Sequence, residues 1–210
     1  PPPLHGTKDT RISTSLMSIK PTALPSRIVL ISTTGVYGDC NGAWINESQR
    51  LRPQTDRARR RVDAEKVIED WHRHTGIITV ILRVSGIYGP DRLPISRLER
   101  REPVLAPEQS PWSNRIHIED LIRVCIAAAR NPHPSRIYNV SDGNPSTMAE
   151  FFCKVAKTHN LPPPPVIDRE LAEKKLNPKM LSYLNESKRI DNTLMCEHLG
   201  VVPNFPDLNA

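Results

Sequence analysis

The chain has 210 residues, of which 25% are charged, and its 29 Lys and Arg against 23 Asp and Glu give a formal net charge of +6. A hydrophobic fraction of 38% is sufficient for one packed domain, and no apolar run reaches the length of a signal peptide or a membrane span. These features exclude collagen-like and membrane-spanning classes and predict a globular protein of the cytoplasm.

The cysteines and the basic residues narrow the classes of partner. The cysteines are widely separated and form no CxxC or Cys/His spacing, which indicates free thiols and predicts no metal site. Four of the arginines fall within residues 57–61 with no aromatic residue among them. This pattern favours a solvated helix face or an anion-binding site, and makes nucleic acid an unfavoured partner.

The first half of the chain predicts a strand, a helix and a second strand. Residues 1–26 are rich in Pro, Ser, Thr and Lys without periodicity, so a disordered or irregular leader is expected. Residues 27–33, RIVLIST, read as a strand buried on both faces of a parallel sheet. A helix over 55–74, capped by Thr55 or Asp56 and ended by Gly76, leads to a strand over 77–82.

The second half predicts further elements of the same sheet and a smaller lobe. A Pro- and Arg-rich stretch with a short helix at 95–101 precedes a helix over 119–130 and a strand over 137–140. Ser146 or Thr147 is expected to cap a helix that runs to about 157, and a proline linker at 162–165 precedes a last helix over 187–199. The expected division is a sheet domain over 27–160 and a small mixed α/β C-terminal lobe over 161–210.

Four segments resemble, in order and spacing, the extended short-chain dehydrogenase/reductase family of the NAD-dependent epimerase/dehydratase type. They are STTGVYGD at 32–39, LRVSGIYGP at 82–90, NRIHIED at 114–120 and YNV at 138–140, within a resemblance that covers about residues 27–205. It implies an α/β fold with a Rossmann-like, doubly wound parallel sheet, NAD or NADP as cofactor, a small-molecule substrate or nucleotide, and a homodimer as one form of assembly. Residues 1–26 hold no counterpart of the family's GxxGxxG phosphate loop, which implies an N-terminally incomplete sheet.

The resemblance also assigns catalytic positions. Thr33 matches the Ser or Thr that hydrogen-bonds to the substrate oxygen. Counting back from Glu65 places Arg61 at the family's lysine and Arg57 at its tyrosine, four residues apart on one helical face. An arginine stays protonated and offers no acceptor, so Arg57 cannot be the usual general acid/base. Arg61 can still donate to a ribose or a phosphate, and both arginines are expected to hold anionic groups.

The remaining assignments concern binding. Cofactor contacts are expected from Ser32, Arg61, Val84, Ser85 and Gly86, and substrate contacts from Tyr37, Arg115 and His117. His117 can equally be structural, and Asp120 can simply cap the helix that it begins. Two functions stay open: an NAD(P)-binding epimerase/dehydratase-like enzyme acting on a sugar nucleotide or similar polar carbonyl or alcohol, and a catalytically inactive descendant that binds a nucleotide, metabolite or protein partner.

Overall fold

The computed structural model describes residues 3–176 and 178–207; positions 1, 2, 177 and 208–210 of the expected leader and lobe lie outside the described residues. The helices are α1 (Thr10–Met17), α2 (Asp56–Thr75), α3 (Ile95–Glu99), α4 (Ile118–Arg130), α5 (Met148–Thr158), α6 (Arg169–Lys175), α7 (Pro178–Leu184) and α8 (Thr193–Leu199). The strands are β1 (Arg27–Thr33), β2 (Trp44–Ile45), β3 (Ile78–Val84), β4 (Gly86–Tyr88), β5 (Val104–Leu105), β6 (Trp112–Ser113), β7 (Arg115–His117), β8 (Ile137–Val140), β9 (Ser146–Thr147), β10 (Val166–Ile167) and β11 (Arg189–Ile190).

A parallel sheet with helices on both faces forms the core. Its strand order is β1-β3-β8, with β1 and β3 paired over their full lengths. Leu30, Ile68 and Ile81 join the sheet to α1 and α2 on one face. On the other face Val124 of α4 and Met195 of α8 pack against the sheet. The predicted doubly wound parallel α/β fold is confirmed.

Helix α2, which crosses from β1 to β3, has the predicted ends. The Thr55 side chain accepts a hydrogen bond from the backbone N–H of Ala58, and Gly76 closes the helix in the left-handed conformation. These two caps satisfy backbone groups that a helix cannot satisfy internally. The helix that follows Thr147 is also confirmed, with a capping box between Thr147 and Glu150.

The prediction of an irregular leader is wrong for residues 10–17, which form α1. Asp9 caps this helix by accepting from the N–H of Ile12, and Leu16 packs into the core beside α2. A short helix has few positions at which apolar periodicity can appear, so the Ser- and Thr-rich composition concealed it. Tertiary packing against α2 stabilises the helix.

The C-terminal segment also departs from expectation. The predicted helix over 187–199 begins at Thr193, because residues 189–190 form β11 and pair with β2. Upstream, β10 pairs with β5, while α8 contributes to the core that covers the central sheet. The expected boundary at residue 161 stays a prediction. The C-terminal strands β10 and β11 pair with β5 and β2, which belong to the preceding part of the chain.

Candidate functional site

A crevice of about 600 Å³ lies at the carboxyl ends of β1 and β3. The two strands are parallel and paired from Arg27–Ile78 to Thr33–Val84. The polypeptide therefore leaves both strands at the same edge of the sheet. The end of β1 and the residues that follow β1 and β3 form one wall of the crevice. This wall consists of Thr33, Thr34, Gly35, Ser85 and Gly86. In open α/β sheets this edge is where ligands bind.

Two hydroxyl groups stand at this wall. The Thr33 oxygen accepts a hydrogen bond of 3.2 Å from the N–H of Gly35 and so caps the 3-10 turn that follows β1, which leaves its O–H free to donate to a ligand. The Ser85 oxygen is buried and has no hydrogen-bond partner among the described residues. Leaving a buried polar group unpaired costs about 1–3 kcal/mol. The Ser85 hydroxyl therefore marks a place where a bound molecule would complete the hydrogen bonding.

The crevice also carries positive charge. Arg57 and Arg92 line it, and neither has a carboxylate partner within the described part of the chain. The Arg57 guanidinium lies over the ring of Tyr183 on α7, 4.3 Å from the ring centre, an arrangement that holds the cation without neutralising it. Unneutralised cations in a concave site raise the local concentration of anions.

Arg115 is held more tightly than these two arginines. Its guanidinium donates to the hydroxyl groups of Ser113 and Ser146 and stacks on the ring of Phe151 at 3.6 Å. Burial lowers the pKa of Arg115 to about 10, with the charge of Asp142 opposing that shift. Arg115 therefore remains a cation at neutral pH, in a fixed orientation on the wall of the crevice.

Two of the predicted substrate contacts, Tyr37 and His117, do not line the crevice, and their assignment stays a prediction. Tyr37 is fully buried: its hydroxyl donates to Asn139 Oδ1 at 2.6 Å and accepts from Arg83, and burial raises its pKa. His117 is buried, accepts from the N–H of Glu119 at the start of α4, and stacks on Phe205 at 4.0 Å. The Tyr37 hydroxyl and the Nδ1 atom of His117 are both used in hydrogen bonds within the protein.

Three other predicted positions also point away from the crevice. Ser32 donates to Glu65 at 2.5 Å below the strand ends, and Val84 belongs to the sheet core. Arg61 lies beside the carboxylate of Asp9, 3.9 Å away, at the start of the helix α1 that sequence reasoning missed. Ser32, Val84 and Arg61 do not line the crevice, and their predicted cofactor contacts stay predictions. Among the predicted residues, the structure brings Thr33, Arg57, Ser85, Gly86 and Arg115 together at one crevice.

Residues 6–141 match the model of the NAD dependent epimerase/dehydratase family, which is more than half of the chain. The chain belongs to this family. It is 28% identical over 184 residues to Protein YeeZ of Escherichia coli strain K12, an alignment that covers 86% of this chain and 59% of YeeZ. It is also similar to dTDP-glucose 4,6-dehydratase of Streptomyces niveus, with 26% identity over 63% of this chain and 42% of that enzyme.

Solved structures of the family share the fold. A functionally unknown conserved protein from Silicibacter pomeroyi superposes with a TM-score of 0.75 and 34% identity, over 86% of this chain and 62% of that one. UDP-glucuronic acid 4-epimerase from Bacillus cereus, solved with NAD, gives a TM-score of 0.73 at 17% identity, over 93% and 62% of the two chains. The chain thus spans about three fifths of the length of these relatives.

Sequence reasoning missed the part of the site that comes from the C-terminal segment. Glu186 and Lys188, which precede β11, line the crevice, and Tyr183 of α7 lies beside Arg57. No family motif and no periodicity marked these positions. The one available signal was the charged sequence ESKR at 186–189, which lies at the start of the predicted helix over 187–199.

The described residues hold neither a long apolar helix nor a cluster that suits a metal. Within positions 3–176 and 178–207, no helix has the length and apolar character required to cross a bilayer. The same residues contain no group of three or more His, Cys, Asp or Glu side chains placed to hold a metal ion.

A partly buried aspartate beside Arg115 makes stability depend on pH. Burial raises the pKa of Asp142 from 3.8 to about 7, against the lowering effect of the Asn144 N–H and of Arg115. The folded state therefore binds this proton more tightly than the unfolded state, and stability falls as pH rises from about 4 to about 7. Asp142→Asn is expected to be more stable than the natural protein by about 1–2 kcal/mol at pH 8, and by less at pH 5, since residual hydration weakens the full linkage effect.

Urea unfolding of both proteins at pH 5 and pH 8 measures this difference. Asp91→Asn, at an exposed position, is the control for the loss of one negative charge. Equal pH dependence of Asp142→Asn and the natural protein would show that Asp142 does not retain its proton on folding.

Proposed function

We propose that this chain binds the nicotinamide end of NAD or NADP together with a sugar nucleotide or a similar polar carbonyl or alcohol substrate. The observation that carries the proposal is the buried Ser85 hydroxyl without a partner, at the carboxyl end of β3, in a crevice that also holds the uncompensated cations Arg57 and Arg92. The family supplies the ligand class, since several relatives were solved with NAD and with UDP-linked sugars.

The residues at the strand ends fit a nicotinamide group. Gly86 is exposed, lines the crevice and has no side chain, so the wall there is backbone that a flat ring can approach. Ser85 would hydrogen-bond to a polar group of the ligand, and Thr33 would donate to the substrate oxygen. The bound nicotinamide would accept or return a hydride. Arg57 and Arg92 would hold phosphate or carboxylate groups.

The second candidate function is binding without chemistry. By resemblance Arg57 stands at the position of the family's tyrosine and cannot exchange a proton, and Arg61 lies beside Asp9. Tyr37, the nearest phenol in the sequence, is fully buried, and the crevice phenol Tyr183 lies against the Arg57 guanidinium. A protein with this arrangement could retain the nucleotide site and lack the reaction. Both candidate functions require nucleotide binding, which binding measurements test. Only the enzyme would convert a substrate, so a measurement of turnover separates the two candidates.

The first experiment titrates the protein with NAD⁺, NADH, NADP⁺, NADPH and UDP-glucose in a calorimeter. Saturable binding of at least one dinucleotide is expected, and Ser85→Ala should weaken it about tenfold, the value of one hydrogen bond to a buried group. The unfolding free energy of Ser85→Ala should not fall, because the hydroxyl has no partner in the protein. Ser96→Ala, on the exposed side of α3, is the matched control.

Absence of saturable binding at millimolar nucleotide by folded protein would overturn the proposal. If binding is found, NMR of UDP-glucose incubated with the protein and NAD⁺ separates the two candidates. Formation of an epimer or a dehydrated keto sugar supports an enzyme. Unchanged UDP-glucose in the presence of measured binding supports the catalytically inactive form.

A further inference from the structure

A lysine and a glutamate form a nearly buried pair on the wall of the crevice. The Lys188 ammonium donates to Glu186 Oε2 at 2.9 Å and to the carbonyl oxygen of Gly38 at 2.7 Å. Lys188 is 5% exposed and both side chains line the crevice. An ammonium has three N–H donors, so these two contacts leave one donor for an oxygen in the crevice.

Hydrogen bonds from neighbouring segments fix the backbone that carries this pair. The side chain of Asn114 bridges the segment, donating to the Lys188 carbonyl at 3.0 Å and accepting from the N–H of Ile190 at 2.8 Å. The N–H of Ser187 donates to Asp39 at 2.8 Å, which fixes the residue before Lys188. With its backbone held on both sides, the lysine keeps one position, which is the requirement for specific recognition of a ligand.

The charge of the pair distinguishes it from the arginines of the same crevice. Arg57 and Arg92 have no carboxylate partner in the described chain and suit phosphate groups. Lys188 is neutralised by Glu186, so a phosphate placed here would meet a carboxylate and be repelled. A hydroxyl group fits both partners, since its oxygen can accept from Lys188 while its O–H donates to Glu186.

We propose that Lys188 and Glu186 together form the subsite that recognises a sugar hydroxyl group, and so determine which nucleotide-linked ligand this crevice accepts. This inference rests on the proposed function, because it concerns the sugar end of the same ligand. The arginines hold the diphosphate and the Lys188–Glu186 pair contacts the hydroxyl groups. A ligand without the sugar loses the contacts with Lys188 and Glu186 and keeps the contacts between its diphosphate and the arginines.

The experiment compares UDP-glucose with UDP on the same proteins by calorimetry. The natural protein is expected to bind UDP-glucose more tightly than UDP. Lys188→Met should weaken UDP-glucose about tenfold and change UDP less than about twofold, since one charged donor contacts the sugar alone. Lys66→Met, an exposed lysine of α2, is the matched control and should leave both affinities unchanged.

Glu186→Gln serves as a second variant, because it preserves side-chain size and decides the matter if Lys188→Met lacks a cooperative thermal transition. It should also weaken UDP-glucose selectively. Equal weakening of UDP and UDP-glucose, or none, in folded variants overturns this inference and leaves the proposed function standing. The inference also fails if the natural protein prefers UDP. If the natural protein binds neither UDP-glucose nor UDP and also binds no form of NAD(P), both the proposed function and this inference are overturned.

Discussion

Arg83→Met is expected to lower the free energy of unfolding by about 3–5 kcal/mol, the usual cost of removing one partner from a buried ion pair. Arg83 lies at the centre of the sheet with a side chain that is 5% exposed, and its Nη2 donates to Glu65 Oε2 at 2.8 Å. Burial alone would lower the pKa of Arg83, but the hydrogen bonds and charge of Glu65 outweigh it and raise the pKa. Removing the guanidinium leaves the Glu65 carboxylate buried without its counter-charge. Urea unfolding at pH 7 measures the loss.

Two further proteins make this prediction specific. Arg73→Met removes an arginine from the exposed pair with Asp70 on α2 and is expected to cost less than about 1 kcal/mol. Arg83→Met combined with Glu65→Leu should be more stable than Arg83→Met alone, because no unpaired charge is then buried. A loss in Arg83→Met no larger than in Arg73→Met would mean that water reaches Glu65 in the folded protein.

Gly38→Ala is expected to cost about 3 kcal/mol or more, by combining backbone strain with a steric overlap. Gly38 has φ +69° and ψ −151°, a region that only glycine adopts without strain. A Cβ at this position would overlap the carbonyl oxygen of Arg52 on the neighbouring loop. Because the Gly38 carbonyl accepts from Lys188, the same change should also disturb the sugar subsite and weaken binding of UDP-glucose.

Gly76→Ala provides the matched control. Gly76 also has a positive φ, +71°, but a Cβ there would have no neighbour within 4 Å. It should therefore cost only about 1–2 kcal/mol, the value of the left-handed conformation in a residue with a side chain. Thermal and urea unfolding of the two variants separate the steric overlap from the strain. Equal losses would show that the loop of Arg52 moves aside for the new methyl group.

Local chemistry explains which elements could be predicted. Residues 27–33 and the helix that follows Thr55 have their patterns and caps within a few consecutive residues, so neighbours in the chain are sufficient to identify them. Helix α1 has a local cap at Asp9, but its eight residues are too few to show apolar periodicity, and its formation depends on packing of Leu16 against α2. The strand at residues 189–190 likewise depends on a partner at Trp44–Ile45, far away in the chain.

The residues of the site also differ in whether neighbouring sequence is sufficient to place them. Thr33, Ser85 and Gly86 follow directly from the strands that carry them, and sequence motifs placed them at the crevice. Tyr37 belongs to one of the same motifs, yet its hydroxyl turns inward to Asn139, 102 positions along the chain. A motif specifies where the backbone goes, whereas the direction of a side chain depends on which distant group offers it a hydrogen bond.

The amino-acid sequence by itself determined the family, the parallel α/β sheet and the edge at which the crevice opens, because these depend on hydrophobic periodicity and on short motifs. It also predicts that Arg57 and Arg61 stand at the positions of the family's catalytic tyrosine and lysine. Only the tertiary structure decided that Arg57 meets Tyr183 at the crevice while Arg61 meets Asp9 outside it. It also brought Lys188 and Glu186 to the site, since their position depends on contacts with Gly38 and Asn114, more than seventy residues earlier.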